Sequence, residues 1–163
     1  MSLVIYPHPV LRSRAQKVRE IDDHIRRLVE EMFRVMEEKE GIGLAAPQVG
    51  EPKRVIVLHL PDEDEVVLIN PVIVSKVGKC IDVEGCLSLP GVEVEVPRAE
   101  EVVVEGMDLD GNMLKLEKNG LWARALQHEV DHLNGRLIID YLKGQDRLNF
   151  EMEWEKLLKK EEG

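Results

Sequence analysis

Five residues, His128-Glu129-Val130-Asp131-His132, constrain this chain more than any others, because they lie in a stretch whose apolar residues keep helical spacing. Trp122, Leu126, Val130 and Leu133 recur on one face from near Gly120 until Asn134-Gly135, where the helix is expected to stop. Residues four apart on a helix project from the same side, so His128 and His132 can grip one ion. Glu129 lies one step round, close enough to reach a water on that ion without being a ligand, and is the candidate general base. Histidine and glutamate are common on exposed helices, and so short a pattern arises by chance in many chains. Here the core-facing Leu126, Val130 and Leu133, and the use of two of only 5 histidines, favour the metal reading. His8, His24 and His59 occur singly and are read as ordinary surface or core histidines.

A catalytic zinc-type site takes three protein ligands and leaves a position for water. The longer pattern H-E-x-x-H-x-x-G-x-x-H is matched as far as Gly135, but Ile138 stands where its third histidine belongs. Cys86, in Glu84-Gly-Cys-Leu-Ser-Leu-Pro90, is the better third ligand, since a thiolate binds such ions strongly and Gly85 allows close backbone approach. A small buried hydrophobe is the usual fate of a free cysteine, and that reading is given to Cys80. The turn around Cys86 also offers the Leu87 N–H as a donor to a developing oxyanion.

Gly41-Ile-Gly-Leu-Ala-Ala-Pro-Gln-Val-Gly50 has the outline of a dinucleotide fingerprint, yet a helix precedes it and Pro47 follows, and the Lys-Ser/Thr ending of a phosphate loop is missing. Backbone with little side-chain bulk instead lets a substrate lie against it, and Gln48 supplies an uncharged amide donor.

The rest of the chain supplies scaffold. With 163 residues and no Pro/Ser-rich linker, a single domain over residues 1–163 is expected. Ile25, Leu28, Val29, Met32, Phe33 and Met36 predict an amphipathic helix capped by Asp22 or Asp23 and stopped by Gly41. The runs 54–60, 65–70 and 101–105 are β-branched and predict strands; Asp110-Gly111 suits a hairpin turn, and Val92, Val94 and Val96 alternate with glutamates. A last helix should carry Phe150, Trp154, Leu157 and Leu158 on one face, with Lys159–Gly163 as a solvated tail. A formal net charge of -10 disfavours general nucleic-acid binding. The absence of any long uncharged apolar run disfavours a membrane span, and sparse cysteine suits the cytoplasm.

Gly41-Ile-Gly-Leu-Ala-Ala-Pro-Gln48, Glu84-Gly-Cys-Leu-Ser88 and Gln127-His-Glu-Val-Asp-His132, in that order, closely resemble the three signature motifs of the peptide deformylases. The likeness runs from Pro9-Val-Leu-Arg12 through Val96-Pro-Arg-Ala-Glu100 to Ile139-Asp-Tyr141. The resemblance implies an α+β fold with antiparallel sheets wrapped around the metal-binding helix, flanked by an N-terminal and a C-terminal helix. It implies Cys86, His128 and His132 as ligands, Glu129 as general base and acid, and Gln48 with the Leu87 N–H at the oxyanion. It further implies removal of the formyl group from the formyl-methionine of nascent polypeptides, released as formate. Ile42, Gly43, Leu121, Ala125 and His128 would line the methionine site. Ferrous iron is the ion the resemblance favours, with zinc or nickel able to replace it, whereas a thiolate with two imidazoles suits zinc. The ribosome near its exit tunnel is the partner this implies beyond the nascent peptide.

Two other classes fit parts of the pattern. A metalloendopeptidase uses the same H-E-x-x-H, but the upstream Cys86 argues against it. A zinc-stabilised binding module needs a fourth ligand, and no Cys or His near the motifs supplies one. Arg98 is expected to pair with Asp131 or Glu84, bracing the site.

Overall fold

A computed structural model describes residues 1–162, with side chains described through residue 160. Helix α1 spans Asp23–Glu38, and Asp22 caps it by accepting the Ile25 N–H at 3.0 Å. Its end differs from expectation: the left-handed residue is Glu40, at φ 56°, and the Gly41 N–H then reaches back to the Met36 carbonyl at 2.9 Å. Seven strands follow: β1 Gly43–Ala45, β2 Val55–Leu58, β3 Val66–Val77, β4 Cys80–Cys86, β5 Leu89–Arg98, β6 Glu101–Met107 and β7 Met113–Asn119. Helix α2 spans Gly120–Leu133 and helix α3 Gly144–Glu162.

Five strands form one antiparallel sheet in the order β1-β2-β3-β6-β7, and β4 and β5 form a separate hairpin. Strand β3 runs past Pro71, where a sequence reading ends it. Asn70 takes a φ of 54°, the register to β6 shifts there, and its side-chain amide bonds both the N–H and the carbonyl of Val18. The predicted turn at Asp110-Gly111 joins β6 to β7, with Asp108 accepting the N–H groups of Asp110 and Asn112.

Side chains of β2 alternate between two cores. Val55 and Val57 meet Leu28, Val29, Met32 and Met36 of α1, whereas Ile56 and Leu58 join Leu68, Val102 and Val104 beneath Ala123, Leu126, Val130 and Leu133 of α2. The sheet therefore lies between the two helices, with α2 running under the hairpin on its far side. A third cluster joins β5 to α3 through Leu89, Val94, Val96, Leu11, Ile139 and Trp154. On α3, Phe150, Trp154 and Leu158 face this core, whereas Leu157, only three residues past Trp154, lies at the edge of the covered face and is exposed. The expected tail is helical through Glu162, and Gly163 lies outside the described residues. No described helix is long and apolar enough to cross a membrane.

Candidate metal centre

The two histidines project from α2 toward the end of β4, where Cys86 precedes the Leu87-Ser88 turn of the hairpin. Cys86 Sγ lies 3.4 Å from His132 Nε2, and the Nε2 atoms of His128 and His132 are 3.2 Å apart. One sulfur and two imidazole nitrogens thus converge within 4.8 Å of one another, a soft donor set suited to a single divalent transition metal. Cys80, read from sequence as buried, is exposed at the start of β4: it shares a face with Glu84 and Cys86, but the whole first half of the strand, through Val83, lies uncovered.

Glu129 is buried beside this triad and faces β1. Its Oε1 has no hydrogen-bond partner among the described residues, so one carboxylate oxygen remains to accept a proton. A Cβ added at Gly43 would lie 2.6 Å from Glu129 Oε2, which explains the glycine at this strand position. Burial pushes the Glu129 carboxyl up to about 7, against the attraction of His128 and Arg98, and Glu84 and Asp131 reinforce the rise. Of the two rings, burial disfavours charge on both; the carboxylates and Cys86 outweigh it at His128, while the facing His128 deepens it at His132.

Gln48 is fixed in orientation. Its Oε1 accepts the Ala45 N–H at 3.0 Å, so its Nε2 points at Ser88 Oγ, 3.2 Å away, and at Cys86 Sγ, 3.8 Å away. The Leu87 N–H engages no acceptor among the described residues. Both donors named from sequence therefore stand at the sulfur end of the cluster. Ser88, fully buried behind Gln48, was not singled out by sequence reading, though it stands in the same motif.

Behind the histidines lies a network of charges. Glu84 Oε1 accepts from His128 Nδ1 and Arg98 Nη2, each at 2.9 Å, and Oε2 accepts from Arg98 Nε at 2.9 Å and Arg124 Nη1 at 2.5 Å. Arg98 also reaches Asp131 at 2.6 Å, and the Tyr141 hydroxyl donates to the same carboxylate at 2.7 Å. Arg98 thus pairs with both acids considered for it, not one. Burial raises the Glu84 carboxyl, but the bonds from Arg98 and His128 outweigh it and hold the group down to about 2. Arg124 and Tyr141 were missed as site residues; Tyr141 stands in a stretch the sequence reading quoted, and Arg124, one helical turn before His128, is the signal a helix reading offers.

Gln48, Glu84, Cys86, Leu87, Arg124, His128 and Glu129 line an open cavity of about 740 Å³, and His132 stands behind it against Cys86 and His128. Ile42, Gly43, Leu121 and Ala125 all line it, so the structure brings every residue singled out from sequence to one place. Leu121 is half exposed at the mouth.

Comparison with known proteins places this architecture among relatives. The family described as polypeptide deformylase matches residues 1–148. A peptide deformylase of Dictyoglomus thermophilum is 51% identical over 132 residues, which is 81% of this chain and 86% of that protein. The crystal structure of a Legionella pneumophila peptide deformylase superposes with a TM-score of 0.91 at 36% identity, covering 98% of this chain and 95% of the other. A peptide deformylase from Synechococcus elongatus, in complex with actinonin, gives a TM-score of 0.85 at 44% identity over 90% of this chain and 81% of that one.

Proposed function

The chain belongs to the polypeptide deformylase family, and from that premise we propose how its residues divide the work of deformylation. It is a metal-dependent amide hydrolase that removes the formyl group from the formyl-methionine of nascent polypeptides and releases formate. The single observation that carries the assignment of roles is the convergence of Cys86, His128 and His132 beside a buried, unpartnered Glu129 oxygen.

In this reading Cys86 Sγ and the two Nε2 atoms hold one divalent ion. Such an ion supplies Lewis acidity, making water more acidic and polarising the formyl oxygen. Glu129 accepts a proton from the water that attacks the formyl carbon, then delivers it to the departing amine. A carboxyl raised toward neutrality by burial suits both transfers, because neither protonation state is far from the working pH. Gln48 Nε2 and the Leu87 N–H donate to the tetrahedral oxyanion, and their value comes from being fixed before the charge develops. Gly43 leaves the β1 backbone open to the bound peptide, while Ile42, Leu121 and Ala125 take the methionine side chain.

The ion is ferrous iron, exchangeable for zinc or nickel; an iron site with a thiolate ligand loses activity in air as Cys86 oxidises. The enzyme works in the cytoplasm, where it meets its substrates at the ribosome near the exit tunnel. Leu148, Met152 and Leu157, exposed on α3, are the apolar surface that encounter would use, and cosedimentation with ribosomes checks it.

The deciding experiment measures formate release from a formyl-Met peptide by anaerobic, iron-loaded protein, with internal cleavage of the unformylated peptide followed in parallel. Formate without chain cleavage is expected, with activity declining on exposure to air. Cleavage without formate would turn the site into that of an endopeptidase, and equal activity in air and under nitrogen would remove iron from the reading.

A further inference from the structure

The donor set is split between two elements that share no core. Cys86 belongs to the hairpin, and His128 and His132 belong to α2. Among the described residues, the apolar cluster under α2 draws on β1, β2, β3 and β6 and contains nothing from β4 or β5. The cluster that contains Leu89, Val94, Val96 and Cys86 contains nothing from α2. Polar ties must therefore hold the thiol at its distance from the imidazoles.

Most of those ties come from residues in the motif segments and their flanks: Glu84, Arg98, Asp131 and Tyr141. Arg124 supplies the rest. Placed four residues before His128, it projects from the same side of α2. Its Nη1 donates to Glu84 Oε2 and, at 2.9 Å, to the Val96 carbonyl, while its Nη2 donates to the Cys80 carbonyl at 2.9 Å. One rigid guanidinium thus grips β4, β5 and the carboxylate between them, from the helix that bears both histidines. A lysine has no such fork.

We propose that Arg124 is a positioning residue for the metal site, an assignment that rests on Cys86, His128 and His132 being the ligands. It clamps the hairpin to α2 and pins Glu84 Oε2, so that Oε1 stays on His128 Nδ1 and the Nε2 of that ring stays turned toward Cys86 and His132. Outer partners of this kind set ring orientation and ligand placement, and their loss costs metal affinity about 10- to 100-fold.

The test uses the zinc-loaded full chain, with zinc as the probe. Competition with a chromophoric chelator gives zinc affinity for wild type, Arg124→Met and Arg124→Lys, and NMR of the zinc form reports the carboxylate-bonded Nδ1 proton of His128. Arg124→Met keeps the aliphatic stem and is expected to bind zinc about 10- to 100-fold more weakly, with the Nδ1 signal shifted or lost. Arg124→Lys is expected to fall between the two, and it decides the matter if Arg124→Met does not fold. Unchanged zinc affinity and an unchanged Nδ1 signal in the folded variants overturn the assignment while leaving the ligand set standing. A lower melting temperature of the metal-free variant with wild-type zinc affinity overturns it too, reducing Arg124 to a brace for the hairpin. Wild-type protein that holds no zinc at its Cys-His-His cluster would overturn both.

Discussion

Helix α2 is held in two different ways on its two sides. Toward the five-stranded sheet it presents Ala123, Leu126, Val130 and Leu133 to aliphatic partners, and that packing is non-directional. Toward the hairpin it is tied by Glu84, Arg98 and Arg124, whose bonds fix angles as well as distances. A fold needs only the first kind of contact. A metal site needs the second, since a ring rotated away from its neighbours no longer offers its lone pair.

Glu129 sharpens the contrast most, because it is buried against β1 with one carboxylate oxygen free of any partner among the described residues, and the proposed mechanism makes it the base. Glu129→Gln is expected to lower kcat by roughly 10²–10⁴-fold while metal content and melting temperature stay at wild-type values. Full turnover with metal bound would remove its role as base.

On the sheet side, Leu126→Ala should destabilise the protein by about 2–5 kcal/mol in denaturant titration. The folded fraction should keep its kcat, and a loss of turnover per folded molecule would show that the apolar side also sets the chemistry.

Acid separates the two sides by another route. The Glu84 carboxyl titrates at about 2 when folded, below its ordinary value, so its contribution is complete above about pH 4.5 and lost as pH falls through about 2. That contribution is on the order of 3 kcal/mol. Melting temperature should therefore drop through this window in wild type and much less in Glu84→Gln; parallel curves would break the assignment.

Smallest in expected effect, and placed where the sheet reaches the chemistry, is Gly43→Ala. Its Cβ would stand 2.6 Å from Glu129 Oε2, forcing the carboxylate to move. A fall in kcat of about 10²-fold is expected from an ångström-scale displacement, with metal retained. An unaltered kcat would mean that Glu129 has room to yield without consequence.

Sequence reading located the helices and most strands because helical and strand periodicities are local properties of consecutive side chains. It also singled out Cys86, His128, His132, Glu129 and Gln48, which the structure brings together, because residue type and motif carry the chemistry proposed for them. It placed Leu157 on the packed face of α3 and Cys80 in the interior, and both are exposed. Periodicity gives which residues share a face, but not how wide a neighbouring element covers it.

What the sequence determined by itself was the donor chemistry: a thiol and two imidazoles one helical turn apart, with a carboxylate between them. Only the tertiary structure decided that hairpin and helix share no apolar core, so that Arg124 spans the gap and Glu84 collects two guanidiniums and a ring. Such ties run between residues 14 to 44 positions apart in the chain. No local pattern encodes them, because their partners are brought together by burial elsewhere in the molecule.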